Sequence, residues 1–208
     1  MVDEKLLSKY DIPTPRYTSY PTVPYWQTEP ILENVWRKRL LDSLLKSPSL
    51  SLYIHLPFCE MLCTYCGCNT RITKNHGVEN PYIDALIKEW EMYCKSLGEK
   101  PKIKEIHLGG GTPTFFSAEN LKKLIEGIVD QDPSEIECSF EGHPDNTSID
   151  HLQTLYQLGF KRLSLGIQDF DPKVQFMINR FQTPEQVTHV TSKAREIGYD
   201  SINFDLIY

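Results

Sequence analysis

The apolar positions of the chain alternate between two periods. From Ile31 to Leu44 they recur at helical spacing (Ile31, Val35, Trp36, Leu40, Leu44), with Arg37, Lys38 and Arg39 between them and Ser47-Pro48-Ser49 closing the run. A strand pattern follows over about 50–56, and Pro57 breaks it. Tyr82, Ile83, Leu86, Ile87, Trp90 and Leu97 then space as a long amphipathic helix that Gly98 ends. From there a unit repeats. Ile103–Leu108 is a strand. Ser117 caps a helix carrying Leu121, Leu124, Ile125 and Ile128. Ile136–Glu141 is a strand, and a helix with Leu152, Leu155 and Leu158 follows it. Arg162–Ile167 is a strand, and Asp171-Pro172 opens a short helix. Thr183-Pro184-Glu185-Gln186 is a capping box, and its helix stops at Gly198 before a last strand, Ile202–Ile207.

Strands alternating with helices predict parallel strands joined by helical crossovers. A doubly wound sheet and a (β/α) barrel both satisfy that. The polar groups separate them. A cysteine-rich loop, a triple-glycine loop, Glu141, Gln168 and Asp205 lie at or near the C-terminal ends of the five strands. A barrel brings all such ends to one face, whereas a doubly wound sheet uses fewer of them. The expected fold is α/β: a partial (β/α) TIM-like barrel of parallel strands, truncated after about five strands, with an extended N-terminal arm. Residues 1–48 would form the arm and its helix, and 49–208 the partial barrel. The chain stops on the strand Asp205-Leu206-Ile207-Tyr208 with no helix to cover it, so a fragment is expected.

The arm holds Pro13, Pro15, Pro21, Pro24 and Pro30, which forbid a long helix. It also holds Tyr10, Tyr17, Tyr20, Tyr25 and Trp26, too many aromatics for a solvated linker. It should lie on something, either packed on the domain or as a flap with Arg16 facing an anion. At 208 residues, 40% hydrophobic and 24% charged, the chain is of ordinary globular composition. The net charge of −6 and the lack of a basic stripe argue against nucleic acid. No apolar run reaches the ~18 residues of a membrane span, and the N-terminus has no signal-peptide core. A cytoplasmic protein is expected, in which clustered thiols hold metal rather than form disulfides. Cys94 and Cys138 fall in a helix and a strand pattern and read as buried small hydrophobes.

The other four cysteines, Cys59, Cys63, Cys66 and Cys68, fall within ten residues. With Cys68 as a fourth ligand they could make a structural zinc module, although no second, distant C-x2-C pair is present. Three thiolates at the spacing Cys59-x3-Cys63-x2-Cys66 better suit a 4Fe–4S cluster, normally held by four, with one iron left open to a ligand. Gly109-Gly110-Gly111-Thr112 lets a ligand approach backbone amides, or is simply a tight turn. Glu141 could bind an ammonium group, Gln168 and Asp205 ribose hydroxyls, and Arg180 a carboxylate. Each of these could equally be a cap or a solvated group.

Cys59-x3-Cys63-x2-Cys66 with Tyr65 before the last cysteine resembles the loop of radical S-adenosylmethionine (SAM) enzymes, and Gly109–Pro113 resembles their methionine-binding motif. Within that superfamily the chain is most similar to the oxygen-independent coproporphyrinogen III oxidases (dehydrogenases). The similarity runs through Pro15–Thr22, Cys66–Asn69, Gly109–Thr114, Gly166–Phe170, Asn179-Arg180 and Asp205–Tyr208. The resemblance implies that Cys59, Cys63 and Cys66 ligate the cluster and that SAM binds its open iron. It implies Gly110, Gly111 and Thr112 along the methionine part, and Tyr53, Glu141, Gln168, Arg180, Asp205 and Ile207 as SAM contacts. Tyr65 would shield the cluster near the adenine, and Cys68 would act beside the substrate or a second SAM. The implied reaction converts two propionates of coproporphyrinogen III to vinyls, giving protoporphyrinogen IX, through a deoxyadenosyl radical made from SAM. A flavodoxin- or ferredoxin-like electron donor, a monomeric state and an arm covering the site are implied with it. Arg16 and Arg71 are the candidate cations for a tetracarboxylate substrate. Glu141-Gly142-His143-Pro144 departs from the commoner Glu-Val/Ala-Asp/Asn-Pro. The 208 residues alone are not expected to turn over. Related haem-trafficking proteins generally have an aromatic residue where Cys68 stands and lack the Arg-Tyr-Thr-Ser-Tyr-Pro arm. A haem-degrading relative is a further alternative.

Overall fold

The computed structural model describes residues 4–11, 25–26 and 29–207. Arg16 and the Pro15–Thr22 motif lie outside them. The chain divides into two compact units, Met1–Lys38 and Arg39–Tyr208. The first holds α1 (Glu4–Tyr10) and the start of α2 (Glu33–Lys46), a helix that buries none of its side chains.

The second unit opens with β1 (Ser49–Leu56). The cysteine loop follows and contains two short strands, β2 (Phe58–Cys59) and β3 (Arg71–Ile72). Next come α3 (Glu79–Leu97), β4 (Lys102–Gly110), α4 (Ala118–Ile128), β5 (Glu137–Gly142) and α5 (Ile149–Gln157). The unit closes with β6 (Phe160–Gln168), α6 (Pro172–Ile178), α7 (Pro184–Ile197) and β7 (Ser201–Leu206). The five longer strands form one parallel sheet in the order β1-β4-β5-β6-β7, and β2 pairs with β3 apart from it. Each of the five lies beside the next in sequence and the order never reverses, which is the winding of a barrel rather than of a doubly wound sheet. This partial α/β barrel matches the expected fold.

Strand alternation sorts the side chains. Ile54 and Leu56 of β1, Ile106 and Leu108 of β4, Cys138 and Phe140 of β5, and Leu163, Leu165 and Ile167 of β6 are buried. They pack with Ile83 and Trp90 of α3, Leu121 and Leu124 of α4, Leu152 and Leu155 of α5, and Val187, Val190 and Ala194 of α7. The opposite face is polar: Tyr53 and His55, His107, Ser139 and Glu141, Ser164, and Asn203 with Asp205. A two-residue period in the strands therefore puts the core on one side and the chemistry on the other. Cys138 is buried, and Cys94 is partly buried against the core.

The starts of α4, α5 and α7 are secured by side-chain caps. Ser117 accepts from Asn120 N, and the Ser148 and Thr183 caps are closed into boxes by His151 and Gln186. The His151 ring also donates from Nε2 to the Phe116 carbonyl at 2.8 Å, tying α5 to the turn after β4. No helix among the described residues is long and apolar enough to cross a membrane.

Candidate active site

The cysteine loop is fastened at its root and at its tip. At the root, Gly111 N donates to the Leu56 carbonyl (2.9 Å) and Thr112 N to that of Phe58 (3.0 Å). On the other flank, Arg71 N donates to the Pro57 carbonyl (2.8 Å) and Thr73 N to that of Cys59 (2.9 Å). Residues 57–59 thus run as a small strand between the glycine loop and the returning β3, a pairing the hydrophobic pattern did not announce. At the tip, Thr64 N and Oγ1 donate to the carbonyls of Ile178 (3.0 Å) and Met177 (2.9 Å), and Asn179 Nδ2 donates to that of Leu62 (2.8 Å). Asn179 has φ of 51°, a left-handed conformation that asparagine tolerates better than most residues.

This fastening places the thiols. Cys59 Sγ lies 3.4 Å from Thr112 Oγ1. Arg180 donates from Nη1 to Cys63 Sγ at 3.7 Å and from Nη2 to the Gly166 carbonyl, while its Nε is buried without a partner. Burial pushes the Cys59 thiol above its ordinary value, offset in part by the Thr112 hydroxyl; Cys66 and Cys63 push it further up, and Arg180 pulls it down. Burial also raises Cys68, with Cys66 and then Glu141 adding to it. Tyr65 is pushed up to about 12, by burial first, against the pull of Arg180. Cys59, Cys63, Cys66, Tyr65, Thr112 and Arg180 therefore share one electrostatic neighbourhood. A second group is Tyr53, Cys68 and Glu141: burial raises Tyr53, and the charges of Glu141 and Cys68 raise it further. Cys68 joins the two groups.

The glycines are explained by what they clear. A β-carbon at Gly110, where φ is 122°, would lie 2.9 Å from His55 Nδ1, and one at Gly111 would lie 2.5 Å from the Pro57 carbonyl oxygen. These residues make room for the cysteine loop and β1, whatever else passes over them. Gln168 stands at φ 67°, an unusual setting for a non-glycine residue, beside a bulge in the β6–β7 ladder. Asp205 accepts from Ser164 Oγ (3.1 Å) and Asn203 Nδ2 (2.9 Å), and Ile207 N donates to the Gln168 carbonyl (3.1 Å). Gln168, Asp205 and Ile207 thus gather where β6 and β7 end, next to Gly166.

Three histidines that sequence reasoning left aside belong to the frame. His55 Nε2 donates to the Asn69 carbonyl (2.8 Å), so in the neutral ring Nδ1 accepts from the Tyr53 hydroxyl (3.1 Å). His76 Nδ1 lies 2.7 Å from Glu79 Oε1, its Nε2 lies 3.4 Å from Glu60, and its ring stacks on Phe115. His143 borders the cleft with Cys59, Cys63 and Arg180, and burial pulls its imidazole down to about 3, Arg180 adding to the effect. The useful signal was strand parity: His55 and His107 share the alternate face of their strands with Tyr53 and Glu141.

Among the described residues, no three His, Cys, Asp or Glu side chains stand close enough to hold a single metal ion. Three of the four thiols of this short loop, Cys59, Cys63 and Cys66, are a donor set that suits an iron–sulfur cluster, and Gly111 leaves room beside the Cys59 sulfur.

Comparison with known proteins decides the family. The model of the radical SAM superfamily matches residues 53–208. The chain belongs to the radical SAM superfamily. Over 212 residues it is 40% identical to the oxygen-independent coproporphyrinogen III oxidase of Pseudomonas aeruginosa, covering 99% of this chain and 45% of that protein. The Helicobacter pylori protein of the same name is 40% identical over 211 residues, covering 100% and 46%. The solved coproporphyrinogen III oxidase of Escherichia coli, described as a radical SAM enzyme, superposes with a TM-score of 0.80 at 36% identity, over 99% of this chain and 45% of that one. The resemblance seen in the sequence is borne out. This radical SAM chain spans less than half the length of the relatives it matches.

Proposed function

We propose that this chain forms the cluster- and SAM-binding part of an oxygen-independent coproporphyrinogen III oxidase, which converts two propionates of its substrate to vinyls in porphyrin and haem synthesis. Cys59, Cys63 and Cys66 would hold the 4Fe–4S cluster. Once bound, it would supply the electron that cleaves SAM. Binding to thiols displaces their protons, and the raised Cys59 makes loading favour higher pH. Gly110, Gly111 and Thr112 would lie along the methionine part. The Glu141 carboxylate would take its ammonium and Arg180 its carboxylate. The Asp205 carboxylate would accept from the ribose hydroxyls and the Gln168 amide would accept from or donate to them, with Tyr53, Tyr65 and Ile207 completing the contact and Cys68 on the substrate side. Of the two candidate cations for a substrate carboxylate, Arg71 lies among the described residues, exposed on β3.

One observation carries the reading. The thiol loop is locked between the glycine loop and the end of α6, with Cys59 at Thr112 and Cys63 at Arg180. The test is anaerobic incubation of the protein carrying this chain, loaded with iron and sulfide, with coproporphyrinogen III, SAM and a reductant. Deoxyadenosine and a divinyl product are expected. Deoxyadenosine without vinyl formation would remove the oxidase reading and keep SAM cleavage, as a haem-trafficking or haem-degrading relative would show. A colourless, zinc-loaded protein would remove both.

A further inference from the structure

On the polar face of the sheet, His107 stands between three groups. Its Nδ1 lies 2.8 Å from Ser139 Oγ on β5. Its Nε2 lies 3.4 Å from Glu141 Oε1, two residues further along the same strand. Its ring stacks on Tyr53 of β1, centroids 5.8 Å apart and planes 20° apart. The ladder imposes this arrangement, because His107 is in register with Tyr53 on one side and Ser139 on the other.

The hydrogen positions follow from the partners. A carboxylate accepts only, so Nε2 carries the hydrogen that reaches Glu141. In the neutral ring Nδ1 is then an acceptor, and the Ser139 hydroxyl donates to it. Ser139 thereby selects the tautomer, in the way that an outer hydrogen bond selects the tautomer of a metal-bound histidine. Space for this ring is provided by the first residue of the glycine loop. A β-carbon at Gly109 would lie 2.9 Å from Tyr53 Cε2 and 3.2 Å from His107 Nε2.

We propose that His107 is a positioning residue for Glu141: Ser139 holds its tautomer, Tyr53 holds its plane, Gly109 leaves it room, and its Nε2–H fixes the carboxylate oxygen Oε1. The free oxygen Oε2 is then presented to a cationic group of the ligand. This rests on the reading that Glu141 receives the ammonium of SAM. It adds an orienting chain that reaches from β1 through β4 to β5 and needs no contact between His107 and the ligand.

The experiment compares wild type, His107→Phe, Gly109→Ala, Glu141→Gln and the double variant H107F/E141Q, each loaded anaerobically with iron and sulfide. SAM affinity is read by equilibrium dialysis. His107→Phe keeps the stacking and should weaken SAM about tenfold at unchanged iron content and unchanged urea midpoint. Gly109→Ala should weaken it in the same direction, and H107F/E141Q should be no weaker than Glu141→Gln alone. Full SAM affinity in His107→Phe, or losses that add in the double variant, would overturn the proposal. If Glu141→Gln binds SAM normally, or wild type binds none, the ammonium reading fails instead. In that case the ¹⁵N spectrum of the protein still decides the relay: an Nε2–H tautomer at His107 supports it, and an Nδ1–H tautomer overturns it.

Discussion

Gly111 keeps free the space beside the Cys59 sulfur: a β-carbon there would lie 2.9 Å from Sγ. It would also press on the Pro57 carbonyl, whose oxygen is already bonded to Arg71 N. The smallest possible side chain at 111 therefore has to displace the root of the cysteine loop, where backbone cannot give way cheaply. Gly111→Ala is expected to lower cluster content at least tenfold. It should also cost about 1–3 kcal/mol of stability, the usual penalty for overpacking. A β-carbon at Gly67 would meet nothing within 4 Å, so Gly67→Ala is the control and should load normally. Iron and sulfide per chain, with urea midpoints, check both.

Glu79 is buried at the start of α3 yet fully partnered. It accepts from Ser117 N and Asn120 Nδ2, each at 2.8 Å, and from His76. Burial alone would raise its carboxyl, but the bonds from Asn120, Ser117 and His76 outweigh that and hold it below the ordinary value. Through His76 and Glu60 the same network reaches the cysteine loop. Glu79→Ala removes the acceptor of the part-buried bonds from Ser117 N and Asn120 Nδ2 and should cost about 1–3 kcal/mol. His76→Phe keeps the stack on Phe115 and should cost less than about 1 kcal/mol, because His76 is exposed. It should, however, speed cluster loss to a chelator. Urea titration and the chelation rate measure the two effects separately.

Stability should fall on mild acidification. His143 and His151 are both held below the ordinary imidazole value, chiefly by burial, and Arg180 adds to the effect at His143. A group with a depressed folded pKa contributes fully above its unfolded value, about 6.5 for histidine, and loses that contribution as pH falls toward the folded one. For His143 the window runs from about 6.5 down to about 3. His76 is raised, first by its hydrogen bond to Glu79, and has the opposite sign. Its contribution is complete below about 6.5 and is lost as pH climbs through the raised value. Urea midpoints of the apo protein from pH 7 to 4 should decline, and His143→Asn should flatten the decline. An unchanged slope in that variant would show that His143 is not the group responsible.

The four thiols of the loop should separate by function. Cys59→Ser, Cys63→Ser and Cys66→Ser should each remove most of the iron, because a serine oxygen is a poor substitute for thiolate at an iron–sulfur centre. Cys68→Ser should keep the iron and lose product formation. Iron content and visible absorption of the four variants decide between this and a four-cysteine zinc site, in which Cys68→Ser would lose metal as well.

The order of elements, the parity of the strands and the helix caps could all be read in the chain, because each is a local matter. A two-residue period decides which side chains share a face. A Ser, Thr or Asp at a helix start satisfies amides only three residues away. The motif residues were legible for the same reason, since Cys59, Cys63 and Cys66 are close in sequence. Tertiary structure decided the contacts between segments far apart in the chain. Arg180 meets Cys63, Asn179 clips Leu62, and Thr112 meets Cys59 only because parallel strands return every chain segment to the same end of the sheet. His107 and Glu79 were silent in the sequence because a lone histidine or glutamate has no periodic signature, and its partners come from other strands and helices. The glycine loop changed most in meaning. By sequence it is a place for a ligand to approach, whereas in three dimensions it is first the space into which Tyr53, His107, His55 and the root of the cysteine loop fit.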